Sequence, residues 1–381
     1  MKKKILGILL ISTMTSLFFA GCGEAAEEKE EVKSDDVEVV ETSDEELIAM
    51  ITDSGDIDDQ SFNQIIWETI STYCDANEVG YQYYKPTEDS IEQRTNAVEL
   101  AIEEGATVVV TPGSTFGSII AEFQSEYEDV CFIGIDVDEK DLVKSGDNVP
   151  VGDNVYLCSF REEQAGFLAG YGLVKDGYKE LGFLGRVKES SSQRYGYGFI
   201  QGINEAAKES DVNVNVNYYY AGKYVGDDEV LDMMESWYEG GTEVVFSCGE
   251  GLYTSVLDAA FECNGKMVGV DIDQHALGEV YSDNPIVTSA MKGLNETLNF
   301  ALNKYFNGEW NEIGGKSQQF GLENGDYVGL PTNEDSWEFE NFSLEDYENV
   351  KTAIKDKEII VSNEIDKELK TEDNVKVNYL N

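Results

Sequence analysis

Residues 48–67 have the sequence Ile-Ala-Met-Ile-Thr-Asp-Ser-Gly-Asp-Ile-Asp-Asp-Gln-Ser-Phe-Asn-Gln-Ile-Ile-Trp. The apolar start predicts a short buried strand, and the acidic residues around Gly55 predict a turn. A helix is predicted to begin at Ser61, because Gln64 follows it at the spacing of a capping box. In an open parallel sheet, ligands bind beyond the carboxyl ends of the strands. The segment from Asp53 to Asn63 lies at such an end, so we expect it to contribute to a binding site.

Residues 53–63 form the pattern Asp-x-Gly-x-x-Asp-Asp-x-Ser-Phe-Asn. This pattern resembles the signature of the basic membrane lipoprotein (PnrA-like) family, which comprises the purine-nucleoside-binding proteins of ABC transporters. Residues 269–274, Gly-Val-Asp-Ile-Asp-Gln, and residues 288–292, Thr-Ser-Ala-Met-Lys, resemble two further segments of that family. The resemblance covers nearly everything after residue 46.

The chain alternates strand-like and helix-like segments in two successive series, which predicts an α/β fold with parallel sheets. Continuous apolar runs such as Val108–Val110 are typical of strands buried on both faces. A length of 381 residues exceeds what one core usually serves, so two lobes are expected. The resemblance implies a periplasmic-binding-protein type I architecture, with two Rossmann-like lobes. It assigns residues 47–158 and 288–325 to the N-terminal lobe, and 159–287 and 326–381 to the C-terminal lobe.

The charge of the chain is strongly negative. It has 76 acidic and 27 basic residues, a formal net charge of −49. Such a surface repels phosphate backbones and anionic lipid head groups, so we expect neither nucleic-acid binding nor docking on a membrane through a basic face. The simplest interpretation is a solvated acidic surface that keeps the protein soluble.

The first 21 residues have a basic start, an apolar run and small residues before Cys22, as in a secretory signal peptide. Residues 19–22, Phe-Ala-Gly-Cys, resemble a bacterial lipobox, with Phe19 where the pattern usually has Leu. We expect Cys22 to carry the lipid, which anchors the protein to the outer face of the cell membrane. The alternative is ordinary secretion without modification of Cys22. Residues 22–46 are acidic and lack aromatic side chains, which predicts a solvated tether.

Neither cofactor nor metal is expected. His275 is the only histidine, which rules out a multi-histidine metal site, and the six cysteines include no Cys-x-x-Cys pair. There is also no P-loop and no zinc motif. We therefore expect a binding protein rather than an enzyme.

Three aspartates that each follow an apolar strand are the main candidates for ligand contact: Asp53, Asp136 and Asp271. A carboxylate at a strand end can accept two hydrogen bonds from vicinal sugar hydroxyls. The remaining candidates are side chains that can stack on a base, hydrogen-bond to it or pair with a carboxylate, and glycines in strand-end loops: Phe62, Asn63, Gly113, Phe246, Gly249 and Lys292. Together these residues predict a site for a flat, uncharged, hydroxylated ligand.

Several of these residues have a structural alternative. Asp53 could cap the helix, Phe62 and Phe246 could be core residues, and Lys292 could lie on the surface. The loop containing Gly113 could be a plain strand-to-helix connection.

Taken together, the family resemblance, the lipobox-like segment and the candidate site predict a lipid-anchored protein. This protein captures purine nucleosides between two lobes and delivers them to an ABC permease. One alternative is a nucleoside hydrolase, because residues 53–59 superficially resemble the calcium-binding turn of those enzymes. Two acidic positions of that turn fall on Ile51 and Ile57, which weakens this alternative. The chain could also be a sensor that signals its bound state to a partner, or a protein of the same fold that binds another sugar-like or heterocyclic solute.

Overall fold

The computed structural model describes residues 46–381 except residues 54, 250 and 368. The predicted signal peptide, Cys22 and residues 22–45 of the predicted tether lie outside the described residues. Among the helices of the described part of the chain, none is both long enough and apolar enough to cross a membrane.

Most of the described chain alternates between strands and helices. The strands are β1 (Leu47–Ile51), β2 (Gly80–Tyr84), β3 (Val108–Pro112), β4 (Cys131–Ile135), β5 (Val143–Lys144), β6 (Asp147–Asn148), β7 (Val155–Phe160), β8 (Glu180–Gly185), β9 (Val214–Tyr220), β10 (Val244–Cys248), β11 (Lys266–Asp271), β12 (Ile286–Lys292), β13 (Lys316–Phe320), β14 (Val328–Gly329) and β15 (Val375–Tyr379). The helices are α1 (Phe62–Asn77), α2 (Ile91–Glu103), α3 (Gly117–Phe123), α4 (Glu162–Asp176), α5 (Ser190–Ser210), α6 (Asp228–Glu239), α7 (Tyr253–Cys263), α8 (His275–Gly278), α9 (Leu294–Phe306) and α10 (Leu344–Lys355).

Two main sheets organise these elements. The first has the order β13-β7-β4-β3-β1-β2, and its strands are all parallel. The second has the order β14-β12-β11-β10-β8-β9-β15 and is parallel except for β14. Strands β3 and β10 are buried along their whole length, as continuous apolar runs predict. The predicted fold class, two α/β lobes that each have a mainly parallel sheet flanked by helices, is confirmed.

One predicted boundary differs from the sheet topology. The prediction returned the chain to the first lobe at residue 288, whereas β12 extends to Lys292 and pairs with β11 between Ile286 and Met291. The strand is buried on both sides of residue 288 except at the half-buried Met291, so the sequence carries no signal there for a change of sheet. The chain re-enters the first sheet through α9 and β13.

Helices α4 and α5 of the second lobe pack closely because glycines lie at their crossing. A Cβ atom at Gly198 would lie 1.9 Å from the carbonyl oxygen of Glu163, and one at Gly166 would lie 2.2 Å from that of Tyr195. Only a residue without a side chain fits at these separations. This close crossing holds α4 against α5. Helix α5 carries Arg194, which reaches Asp138 of the first lobe.

Candidate functional site

The turn after β1 is held together by two aspartates. Asp53 Oδ1 accepts hydrogen bonds from Gly55 N at 2.7 Å and Asn63 Nδ2 at 2.9 Å. Asp59 Oδ1 accepts from Ser61 N at 2.9 Å, and its Oδ2 accepts from Asn63 N at 3.0 Å. Asp59 therefore binds the free backbone N–H groups at the start of α1. The predicted capping role of Ser61 is wrong, since its hydroxyl makes no cap bond.

The Ser61 hydroxyl instead reaches the second lobe, where its Oγ lies 3.3 Å from Asp271 Oδ2. Another contact between the lobes joins Gln274 Nε2 to the carbonyl oxygen of Gln60 at 3.2 Å. The carboxylate-rich turn therefore forms part of the inner wall of the cleft between the lobes. Another acid of the turn, Asp56, pairs with Lys85 at 2.5 Å, within the first lobe.

At the centre of the cleft is a group that we call the lysine cluster: Lys292, Asp136, Asp271 and Phe62. Lys292 Nζ forms ion pairs with Asp136 and, at 3.0 Å, with Asp271. The same nitrogen lies 4.5 Å from the centre of the Phe62 ring. All four residues are buried. Burial disfavours the ammonium ion, but the attraction of the carboxylates is larger and raises the pKa of Lys292 beyond its ordinary range.

The two aspartates of the lysine cluster have similar positions in their lobes. Asp136 directly follows β4 and Asp271 is the last residue of β11, and both have positive φ angles, 58° and 68°. This backbone conformation is uncommon for residues other than glycine, although Asp tolerates it better than most. Gly113 supports the first of these positions, because its N–H donates to the carbonyl oxygen of Ile135 at 2.7 Å.

A second charged group lies where β8 ends, and it was not among the residues predicted from the sequence. Arg186 of the second lobe lies with its NH1 atom 3.6 Å from Asp53 Oδ2 of the first lobe, and its Nε lies 3.0 Å from Glu189. Its guanidinium carbon lies 5.1 Å from the centre of the Tyr224 ring. The signal that could have found Arg186 is its position directly after a strand, like that of Asp136.

Two cavities border these groups. One of about 600 Å³, which we call the mouth cavity, is lined by Asp89, Val187 and residues 222–227. The other, of about 530 Å³, reaches Asp271 and Lys292 and is also lined by Ile65 of α1 and Asn295 of α9. The charged groups of the cleft therefore lie between elements from both lobes.

A buried ion network lies next to the lysine cluster. Arg194 on α5 bonds to Glu162 through two nitrogens and to Asp138 of the first lobe at 3.1 Å. Ser159 Oγ donates to the other oxygen of Asp138. Burial raises the pKa of Glu162 to about 7 despite the attraction of Arg194. Asp136 is a further nearby carboxylate, and its repulsion adds to the rise in the pKa of Glu162.

The structure brings together most of the predicted site residues but separates one of them. Asp53 and Asn63 are in contact, and Phe62, Asp136, Asp271 and Lys292 form the lysine cluster. Gly249 lies against Arg186. Phe246, however, is fully buried among the rings of Phe183, Tyr195 and Phe199, at centroid distances of 5.4–5.8 Å. The rings around Phe246 all belong to its own lobe, so Phe246 is a core residue and the prediction that it stacks on a ligand is wrong. Phe62 is buried as well, but against Lys292 of the other lobe.

Known proteins resemble this chain over most of its length. A family model described as ABC transporter substrate-binding protein PnrA-like matches residues 47–365. The CD4+ T-cell-stimulating antigen of Listeria monocytogenes is 26% identical over 356 residues, which cover 88% of this chain and 92% of that protein. The ABC transporter nucleoside-binding protein BmpA of Lactococcus lactis is 24% identical over 349 residues, covering 85% and 90%.

Among solved structures, the chain is similar to a solute-binding protein of an ABC transporter system from Aeropyrum pernix. The TM-score is 0.67 at 16% sequence identity, and the match covers 84% of this chain and 88% of the other. This likeness concerns the fold.

Proposed function

Because the chain belongs to the PnrA-like family of ABC transporter substrate-binding proteins, we propose that it captures purine nucleosides between its two lobes and delivers them to an ABC permease. In this proposal the protein is held at the outer face of the cell membrane by a lipid on Cys22. The lobes close on the ligand and release it at the permease, as in other two-lobed binding proteins. No bond of the nucleoside is broken.

The observation that carries the proposal is an unsatisfied carboxylate oxygen in the lysine cluster. Asp136 Oδ2 pairs with Lys292, but among the described residues no donor reaches the buried Oδ1 atom of Asp136. Leaving a buried acceptor without a donor costs about 1–3 kcal/mol, and more for a charged group. A sugar hydroxyl that donates to this oxygen would remove the penalty, and Asp271 at the end of β11 could accept from a second hydroxyl.

The base has a complementary surface beside the sugar. Phe62 presents a ring next to Lys292, and stacking of a base on an aromatic side chain contributes about 1–3 kcal/mol. Asn63 and Asp53 follow in the same turn and supply polar atoms at the edge of a stacked base. The ribose would then lie at the lysine cluster and the base toward Asp53.

The charges of the site favour a nucleoside over a nucleotide. The lysine cluster has two carboxylates and one ammonium group. A phosphate group placed beside these carboxylates would be repelled, since like charges close together in a buried site cost several kcal/mol. An uncharged ligand avoids this repulsion.

Isothermal titration calorimetry of the purified full-length chain with inosine, guanosine, adenosine and the corresponding monophosphates tests the proposal. We expect binding of nucleosides without added calcium and no measurable binding of the monophosphates. Phe62→Ala and Asp271→Ala should each weaken binding by about 10- to 150-fold, the equivalent of about 1.4–3 kcal/mol. Asp232→Ala, on the exposed face of α6, is the matched control and should bind as the wild type does.

Two results would contradict the proposal. Unchanged affinity in both the Phe62→Ala and the Asp271→Ala proteins, with cooperative melting curves, would mean that the ligand binds elsewhere. Release of free base from inosine during the titration, followed by chromatography, would instead identify a nucleoside hydrolase.

A further inference from the structure

Arg186 is the second-lobe residue that faces Asp53 across the cleft. Its side chain is buried, with only 9% of its surface exposed, and the exposure of the Asp53 side chain is 7%. Placing a guanidinium group here requires compensating charge, which Glu189 Oε1 provides at 3.0 Å from Arg186 Nε. The NH1 atom of the guanidinium group is directed to Asp53 Oδ2 at 3.6 Å.

The separation of Arg186 and Asp53 distinguishes this contact from an ordinary salt bridge. An N–H···O hydrogen bond spans 2.7–3.2 Å, so at 3.6 Å the two groups are adjacent without being hydrogen-bonded to each other. Asp53 Oδ1 is already engaged by Gly55 N and Asn63 Nδ2, which leaves Oδ2 as the oxygen that faces the cleft. The result is a donor and an acceptor side by side, each supplied by a different lobe.

The orientation of Arg186 is fixed by its surroundings. The guanidinium group stacks over the Tyr224 ring at 5.1 Å, and Tyr224 lines the mouth cavity. On the other side, a Cβ atom at Gly249 would lie 2.8 Å from Arg186 Cβ, so the glycine makes room for the arginine. Gly249 was expected to contact the ligand, and this contact gives it a role in positioning Arg186.

A donor beside an acceptor can pair with either purine edge, but the two edges require the two side chains in opposite order. A 6-oxopurine presents the N1–H donor next to the O6 acceptor, whereas adenine presents the N1 acceptor next to the N6 amino donor. Arg is among the side chains that most often bind O6 and N7 of guanine, which favours the order in which Arg186 meets O6 and Asp53 meets N1–H. We propose that Asp53 accepts from N1–H and Arg186 donates to O6, so that the site selects 6-oxopurine nucleosides over adenosine. This inference rests on the proposed function, since it requires the base to lie toward Asp53.

Calorimetric titration of the full-length wild-type protein and of Arg186→Met with three ligands tests the assignment: inosine, adenosine and purine riboside, which lacks both the 6-oxygen and N1–H. The wild type should bind inosine at least tenfold more tightly than either of the others. Arg186→Met should weaken inosine binding by about 10- to 150-fold, the loss expected for a charge-assisted hydrogen bond. Its affinity for purine riboside should change by less than about threefold.

Lys188→Met is the matched control, because Lys188 is a cation two residues away that is exposed and lies over the Tyr220 ring. The Lys188→Met protein should prefer inosine over adenosine and purine riboside as the wild type does. This result separates the effect of the specific Arg186 contact from that of removing one positive charge. Thermal melting of each variant verifies that it is folded.

The outcomes separate the two proposals. If the wild type binds none of the three nucleosides, the proposed function fails. If it binds them but without preference for inosine, or if Arg186→Met weakens inosine and purine riboside by the same factor, only the assignment of Arg186 is overturned.

Discussion

Replacement of Lys292 by methionine tests the electrostatic account of the cleft most directly. The Lys292 side chain is 3% exposed, and the side chains of Asp136 and Asp271 are 5% and 7% exposed. Methionine keeps most of the volume and removes the charge, so two buried carboxylates would face each other without a cation. Removing one partner from a buried ion pair typically costs about 3–5 kcal/mol. We expect the free energy of unfolding to fall by that amount at pH 8.

The measurement is equilibrium unfolding in urea, with the double variant Lys292→Met/Asp136→Asn as the decisive comparison. The asparagine removes one of the two opposed charges and can still hydrogen-bond, so the double variant should be more stable than Lys292→Met alone. Lys304→Met is the control, since Lys304 pairs with Glu309 and Glu312 at the surface. Its midpoint should match that of the wild type within error.

The pH dependence of this defect has a defined sign. The pKa of Lys292 is raised, so the stabilising contribution of Lys292 is fully present below the unfolded-state value of about 10.4 and is lost only at higher pH. The wild type therefore keeps this contribution at both pH 5 and pH 8. In Lys292→Met, proton uptake by one carboxyl group relieves the repulsion, so the defect should be smaller at pH 5. A loss below about 1 kcal/mol at pH 8, or a less stable double variant, would refute the reasoning.

Two further predictions concern the second lobe. Burial raises the pKa of Glu162 from its ordinary 4.5 to about 7, so the folded protein loses stability as the pH rises through that interval. The Glu162→Gln variant lacks this loss, so its unfolding free energy relative to the wild type should be higher at pH 8 than at pH 5 in urea unfolding. The same difference between variant and wild type at both pH values would contradict this. Gly198→Ala should lower the unfolding free energy by about 1–3 kcal/mol or more, because its Cβ would lie 1.9 Å from the carbonyl oxygen of Glu163. Ser210→Ala, at the exposed end of the same helix, is the control and should melt as the wild type does.

The central part of the candidate site could be predicted from the sequence because its two aspartates lie at strand ends. Asp136 follows β4 of the first sheet and Asp271 ends β11 of the second, and in each sheet ligands bind beyond the carboxyl ends of the strands. The family-like segment that ends in Lys292 then supplied the cation between them. Strand-end position is a property of the local sequence, and no knowledge of distant contacts was needed.

The errors arose where local patterns leave two alternatives open. Phe246 belongs to a strand that is buried on both faces, so alternation of apolar and polar residues cannot tell which side a ring occupies. At the start of α1, Ser61 and Asp59 both have side chains that can cap a helix. In the structure Asp59 accepts the hydrogen bond from a backbone N–H at the start of the helix, whereas Ser61 contacts Asp271, 210 residues away. Neither choice is encoded in the spacing alone.

The ion pairs across the cleft all have the same direction of charge, and this affects how the lobes close. In three ion pairs the carboxylate comes from the first lobe and the cation from the second: Asp53 with Arg186, Asp136 with Lys292, and Asp138 with Arg194. Each of these cations also pairs with a carboxylate of its own lobe, so the second lobe offers cations to the first without presenting a net positive face. Opening exposes both members of each pair to water, which offsets much of the lost attraction.

A ligand that enters this cleft must separate some of these pairs without leaving their charges unmatched. A nucleoside meets this condition, since its hydroxyl groups and 6-oxopurine edge can both donate to the carboxylates and accept from the cations. A phosphorylated ligand would satisfy the cations and add repulsion at Asp53 and Asp136. Under the proposed function, the same ion pairs that hold the lobes together would account for a preference for an uncharged ligand, and the loss of nucleoside binding on adding a phosphate measures that preference directly.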